Sequence, residues 1–184
     1  MKKELDAIRV AYRILGPTED IPPGYQKITC HMIFTVKMEN FRRKARYVAD
    51  GHKTEAPAVT TYASVVSRET VRIALTIAAL NDLEVKGADI ENAYITAPNR
   101  ERVWTLLGPE WGPDAGKKAI VVRAQYGLKS AGASFRNHLA DCMTFLGYKS
   151  CRADPDLWFK PETRPDDGFQ YYCYVLIYSD DFLA

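Results

Sequence analysis

Residues 171–178 read Tyr-Tyr-Cys-Tyr-Val-Leu-Ile-Tyr and run without a break into Ser179-Asp180-Asp181. A succession of apolar, β-branched and aromatic side chains suits a pleated, buried surface, so this run predicts a strand. Aspartate disfavours strand interiors, and an adjacent pair predicts a turn at the strand's end. Asp89 breaks residues 85–90 in a similar way, ahead of Asn92-Ala93-Tyr94. Each carboxylate alone reads as a solvated turn acid.

The rest of the chain supplies a frame around these strands. Residues 3–15 place Leu5, Ile8, Val10, Tyr12 and Leu15 loosely at helical spacing, and Gly16-Pro17 ends the segment. Residues 28–36 and 44–49 predict a hairpin with Glu39-Asn40 near its turn. Ser67 predicts an N-cap, with Glu69 in the first turn and Asn81 as the stop. Residues 101–107 and 118–124 predict two strands joined through the Gly- and Pro-rich residues 108–117. In residues 130–146, Phe135, Leu139, Cys142 and Leu146 follow helical spacing and Gly147 is a natural C-cap. Residues 157–160 predict a short strand, and 161–168 a polar turn. Helices interleaved with hairpin-linked strands indicate an α+β fold, mainly antiparallel, with helices packed on one face.

Composition excludes some classes. The 184 residues are 47% hydrophobic and 26% charged, an ordinary balance for a globular protein. No apolar stretch is long enough to span a bilayer, and charges interrupt residues 1–15 where a signal peptide needs an apolar core. The four cysteines, at 30, 142, 151 and 173, form no CxxC pair and have no histidine at zinc spacing, so they predict reduced, mostly buried thiols. Net charge is only +2, yet Lys37, Arg42, Arg43, Lys44, Arg46 and Lys53 crowd one segment against Glu39 and Asp50. That island suits phosphate contacts or a solvated basic loop.

Acidic residues at the ends of adjacent strands can converge on one point. Converged carboxylates repel, a cost that a cation removes. Oxygen ligands suit Mg²⁺, and two such ions clamp the attacking and leaving oxygens of a phosphoryl displacement. Ninety-one positions separate Asp89 from Asp180, so spacing alone leaves the convergence open.

Six ordered blocks bear on this choice. Tyr178-Ser179-Asp180-Asp181 is similar to the Tyr-x-Asp-Asp box of reverse transcriptases, and residues 88–94, Ala-Asp-Ile-Glu-Asn-Ala-Tyr, look like their first catalytic strand. Residues 125–131, Gln-Tyr-Gly-Leu-Lys-Ser-Ala, resemble the Leu-Tyr-Gly-Leu-Lys-Gln-Ala motif of the copia type. Residues 43–52 resemble that type's Lys-Ala-Arg-Leu-Val-Ala-x-Gly stretch, and residues 62–66 and 153–157 fit the same pattern. Across roughly residues 30–184 the chain therefore resembles copia-type (Pseudoviridae) retrotransposon reverse transcriptases.

The resemblance implies a fingers-and-palm fold: fingers over residues 1–83, palm over 84–97, a fingers insertion hairpin over 98–125, and a second palm part over 126–184. It implies RNA-directed DNA polymerase activity within a retrotransposon polyprotein. Asp89, Asp180 and Asp181 would be the catalytic metal ligands for two Mg²⁺ ions, replaceable by Mn²⁺, with the Ile90 carbonyl adding a ligand. Arg46, with Lys44, would contact the incoming triphosphate, while Tyr126 and Gly127 line its pocket and Tyr94 packs on its sugar. Lys37, Arg42, Arg43, Lys129, Tyr178 and Ser179 would meet nucleic acid. The implied partners are an RNA or DNA template with primer, deoxynucleoside triphosphates, and either a homodimer mate or the remainder of a polyprotein. The implied setting is intracellular, in a cytoplasmic virus-like particle or the nucleus, with no membrane contact.

Departures accompany the match. Ser130-Ala131-Gly132-Ala133-Ser134-Phe135 stands where the family usually has Gln-Ala-Pro followed by Arg-Ala-Trp, and Ser179 where valine is commoner. Family members continue past the Asp-Asp turn into a return strand, more palm, a thumb and RNase H. The expectation here is a chain lacking all of these, with Asp180 and Asp181 at a loosely held hairpin tip. An alternative reading follows: an inactive remnant that binds nucleic acid or a partner protein.

Overall fold

The computed structural model describes residues 2–38 and 40–184. In chain order the elements are α1 (Lys2–Ile8), β1 (Tyr12–Ile14), β2 (Gln26–Lys27), β3 (Cys30–Lys37), β4 (Arg42–Ala49), α2 (Arg68–Leu80), β5 (Gly87–Asp89) and α3 (Ala93–Thr96). They continue with β6 (Val103–Leu106), β7 (Lys118–Val121), α4 (Ala131–Phe145), β8 (Lys149–Ser150), β9 (Leu157–Thr163), β10 (Gln170–Tyr178) and β11 (Asp181–Leu183). The chain forms two compact units, residues 2–62 with 92–135 and residues 63–91 with 136–184.

The first unit holds a four-stranded sheet ordered β1-β7-β6-β2, antiparallel except for the β2–β6 pair, and the separate β3–β4 hairpin. Its core includes Tyr12, Tyr47 and Trp111, whose rings meet edge to face with centroids 5.1–6.0 Å apart. Such pairs add to area burial because ring edges and faces carry opposite partial charge. The helix expected over residues 3–15 runs as α-helix to Ile8 and as a 3₁₀ turn over Arg9–Ala11, and stops there. Tyr12, Arg13 and Ile14 instead pair with Val121, Ile120 and Ala119, a long-range ladder that outweighs weak helical spacing.

The second unit holds an antiparallel sheet ordered β5-β11-β10-β9-β8. Ser67 caps α2 as its sequence predicts, accepting from the Thr70 amide. Gly147, at φ +87°, closes α4: its amide reaches Thr144 O and that of Tyr148 reaches Met143 O. Val175, Leu176 and Ile177 are consecutive and all buried, so both faces of β10 are covered near its end rather than one. The polar turn expected from residue 161 begins later, because Pro161, Glu162 and Thr163 extend β9 against Tyr172, Tyr171 and Gln170. The thiols are free but less buried than expected: Cys142 is exposed and the other three are half-buried.

Candidate functional site: strand-end carboxylates and a cationic hairpin

The carboxylates of the second unit are placed by β11. Asp181, Phe182 and Leu183 form a return strand paired on one side with β10 and on the other with β5. The expectation of an unsupported tip is therefore overturned: three residues suffice because two neighbours ladder them at once.

In the β5–β11 ladder Asp181 lies directly opposite Asp89. Ile90 N–H donates to Asp180 O at 2.9 Å, and Lys86 and Ala184 exchange both backbone bonds at 2.7 and 2.8 Å. Hydrogen-bonded pairs in antiparallel strands alternate with non-bonded ones, so Asp89–Asp181 falls at a non-bonded position. There Cα atoms approach to about 4.5 Å and side chains are closest. Two carboxylates so placed repel, and because both are exposed water screens the cost to about 1 kcal/mol or less.

Asp180 occupies the two-residue turn joining Tyr178 to Asp181. Ser179 precedes it at φ +60°, the left-handed region that tight hairpins use to match strand twist. Tyr178 is exposed. The Ile90 amide ties the turn to the end of β5, so Asp89, Ile90, Asp180 and Asp181 share one sheet edge. Among the described residues, no three carboxylate, imidazole or thiol side chains gather as a preformed metal centre. The Asp89–Asp181 pair still suits Mg²⁺, which takes one or two carboxylates and completes its shell with water and phosphate.

The first unit gathers most of the other expected residues. Direct cross-strand partners share a face, so the register Lys37↔Arg42, Thr35↔Lys44, Ile33↔Arg46 puts Lys37, Arg42, Lys44 and Arg46 on one face of the β3–β4 hairpin. Arg43, opposite Val36, lies on the other face beside Phe34 and Val36, both exposed. Glu39, expected near the turn, lies outside the described residues. Lys53 is taken up by Asp50 at 2.7 Å, and His31 joins that carboxylate at 3.2 Å. Lys53 and the Thr29 hydroxyl, in that order, hold the Asp50 carboxyl below its ordinary range.

At the base of the hairpin the Arg46 guanidinium lies 5.6 Å from the Tyr126 ring centre. Tyr126 meets Tyr94 edge to face at 4.6 Å, and Tyr94 meets the buried Phe135 at 5.9 Å. Arg46, Tyr126 and Tyr94 thus form one contiguous cation–aromatic row. Gly127 sits at φ +94°, and a Cβ there would lie 1.9 Å from Ala49 O. Ala49 N–H donates to Tyr126 O at 2.8 Å, so Gly127 gives close approach to the chain's own β4. Lys129 donates to Thr54 O at 2.6 Å, which ties the loop after β4.

Some partners escaped sequence reasoning. Glu101 is buried and accepts from the Ser130 amide and hydroxyl at 2.7 and 2.8 Å, seating a carboxylate at the start of α4. The departure at Ser130 therefore has a local partner. Asp154 and Asp156 are buried in the second unit, with Ser64, Ser67, Thr70 and Arg136 around them. Their only sequence signal is the Asp-Pro-Asp spacing inside a motif block.

Comparison with known proteins bears on this arrangement. Residues 17–183 match the family described as reverse transcriptase (RNA-dependent DNA polymerase). The chain is 26% identical over 194 residues to the retrovirus-related Pol polyprotein from transposon TNT 1-94 of Nicotiana tabacum, covering 100% of this chain and 14% of that protein. It is 27% identical over 172 residues to the corresponding polyprotein from transposon RE2 of Arabidopsis thaliana, covering 88% of this chain and 11% of that protein. No solved structure matches it.

Proposed function

The chain belongs to the reverse transcriptase (RNA-dependent DNA polymerase) family, and from that premise we propose that it is the polymerase core of a copia-type retrotransposon Pol polyprotein. In this reading a primer 3′-oxygen attacks the α-phosphate of a deoxynucleoside triphosphate on an RNA or DNA template, and pyrophosphate leaves. The observation that carries it is the Asp89–Asp181 pair, brought from the middle and the end of the sequence to one non-bonded position beside the Asp180 turn.

Asp89, Asp180 and Asp181, with the Ile90 carbonyl, would hold Mg²⁺ or Mn²⁺. Such ions, when bound, neutralise charge on the attacking and leaving oxygens. Fingers over residues 1–83 and palm over 84–97 and 126–184 remain the reading, although the compact units cut across it: residues 63–83 belong to the second unit and residues 92–97 and 126–135 to the first. Arg46 binds the triphosphate: its planar fork suits phosphate, and Tyr126 stacks it in place. Tyr94 faces the sugar, where a ring discriminates against a 2′-hydroxyl. Lys37, Arg42 and Lys44 carry the nucleic-acid backbone on one hairpin face; Arg43 is offset to the other.

Primer extension with Mg²⁺ or Mn²⁺ tests this reading, with Asp180→Asn as control. Extension by the wild type and not by the variant is expected; equal activity in both would sink it.

A second reading, nucleic-acid binding without synthesis, draws on the cationic face. Among the described residues, none of Lys37, Arg42, Lys44 and Arg46 has a carboxylate within salt-bridge reach. Binding without extension, with a salt slope of a few phosphate contacts that falls on Arg42→Ala and Lys44→Ala, is its signature.

A further inference from the structure

Two of the ordered sequence blocks, residues 62–66 and 153–157, contain none of the residues assigned to synthesis. The structure joins residues 63–66 of the first block to the second block within the second unit. Asp154 is 9% exposed and Asp156 3%. Asp154 Oδ2 accepts from the Ser67 amide at 2.9 Å and from Thr70 Oγ1 at 2.6 Å, and its Oδ1 accepts from the Asp156 amide at 3.1 Å. Asp156 Oδ2 accepts from Ser64 Oγ, and its Oδ1 accepts from Arg136 Nε at 2.9 Å.

Residues 64 and 67 are therefore each held by a buried carboxylate, and Val66 lies between them. The Val66 amide donates to Ile177 O at 2.9 Å, and the Ile177 amide donates to Asp156 O at 3.0 Å. Ile177 lies on β10, three residues before Asp180. The β9–β10 ladder runs only as far as Leu157↔Leu176. Beyond it, Asp156 O and Val66 N–H take over as the edge partners of β10, opposite the three-residue β11. Without them the last rungs before the turn would be bonded on one side only and would open locally.

Groups that perform chemistry must stay within about 0.5 Å of the working geometry. A buried carboxylate bonded to an arginine and a hydroxyl strongly resists losing either partner, so it fixes the segment it grips. We propose that Asp156, together with Asp154 through residues 64–67, is a positioning residue for the Asp180–Asp181 turn. It acts through Val66 and Ile177 and touches neither metal nor substrate. The proposal rests on the polymerase reading of that turn for its consequence, and on the bonds above for its geometry.

The test compares Asp156→Asn and Ser64→Ala with Ser64→Thr as conservative rescue. Leu139→Ala, in the buried apolar core one turn along α4 from Arg136, serves as a variant that lowers stability while deleting none of the network's hydrogen-bonding groups. In the full chain, amide hydrogen exchange is read at Val66, Ile177 and Tyr178, and Mn²⁺ paramagnetic broadening at Ser179 and Phe182. Asp156→Asn and Ser64→Ala are expected to speed exchange at those amides about tenfold beyond Leu139→Ala, the scale of losing one charge-assisted hydrogen bond. They should also raise the Mn²⁺ concentration for half-broadening, with Ser64→Thr restoring both.

In single-nucleotide incorporation kcat should fall while KM for the deoxynucleotide holds. Exchange no faster than in Leu139→Ala, or a rise spread evenly over the unit, would overturn the proposal. If Asp156→Asn does not fold, the Ser64 pair decides. If the wild type extends no primer, the polymerase reading fails by itself, and the exchange at Val66 and Ile177 still decides whether Asp156 holds the turn.

Discussion

Asp89 and Asp181 face each other across the β5–β11 ladder at a position where the strands share no hydrogen bond. Like charges at directly opposite positions destabilise a sheet. A divalent cation between them converts that cost into a binding site, so Mg²⁺ should raise the melting temperature of the chain. Asp181→Asn should remove the repulsion, stabilise the metal-free chain by about 1 kcal/mol and shift its midpoint up by about 2–4 °C. The same variant should lose most of the Mg²⁺-dependent rise. Thermal melts with EDTA and with a Mg²⁺ series check both signs; a variant that melts lower without metal and keeps the full Mg²⁺ response would contradict the pairing.

The Arg46–Tyr126 contact separates charge from shape. A guanidinium stacks on an aromatic face and forks to phosphate, whereas an ammonium does only part of this. Arg46→Lys is expected to raise KM for the deoxynucleotide several-fold and Arg46→Ala more, with little change in folding stability because Arg46 is only half-buried. Tyr126→Leu should reproduce part of the Arg46→Lys effect without altering net charge. Steady-state incorporation at varied nucleotide concentration measures all three. Identical KM values for Arg46→Lys and wild type would remove the stacking argument.

Much of this architecture was legible because local signals and long-range packing agree. The apolar run of β10, the Ser67 cap and the Gly147 stop each announce an element from within a few residues. The parts that were not legible depend on distant partners. β1, β2, β8 and β11 are two or three residues long, too short to carry a period, and exist because a neighbouring strand ladders them. β11 is the instructive case: Asp181-Phe182-Leu183 has no strand signature, yet Asp89 and Tyr178 pair with it from both sides. The split of Arg43 from Arg42 and Lys44 likewise depends on pairing with β3, which starts β4 at Arg42 instead of Lys44, so that strand alternation reaches these residues. The Asp154–Asp156 network stayed hidden because its donors at 64–70 lie more than eighty positions away.

Gly127 and Gly51 record how tightly β4 meets the segment before α4. A Cβ on Gly127 would lie 1.9 Å from Ala49 O, and one on Gly51 would lie 2.3 Å from Gly127 O. Gly127→Ala adds a strained positive φ to that overlap, so about 2–4 kcal/mol of stability should be lost. Gly116, also at positive φ but with open space around its Cβ position, isolates the backbone term, and Gly116→Ala should cost only about 1 kcal/mol. Urea denaturation of the two variants checks the difference. Equal costs would mean that β4 can move away from residue 127, and the Tyr126–Arg46 row would then be less fixed than its geometry implies.

Asp154 makes the second unit sensitive to acid. Burial alone would raise its carboxyl, but the Thr70 hydroxyl and the Ser67 and Asp156 amides outweigh that and hold it below the ordinary value of 3.8. A carboxyl depressed in the folded state contributes stability that is fully present above its unfolded value and disappears as pH falls through the folded one. The chain should therefore lose stability below about pH 4 more steeply than exposed carboxylates would produce. Asp154→Asn cannot titrate and cannot accept through two oxygens, so it should be less stable than wild type at pH 7, with the gap narrowing as pH drops below 4. Urea midpoints between pH 7 and 3 supply the comparison. A gap that stays constant across that range would show that the Asp154 carboxylate binds its proton equally in the folded and unfolded chain, and the grip on residues 67 and 70 would then owe nothing to charge.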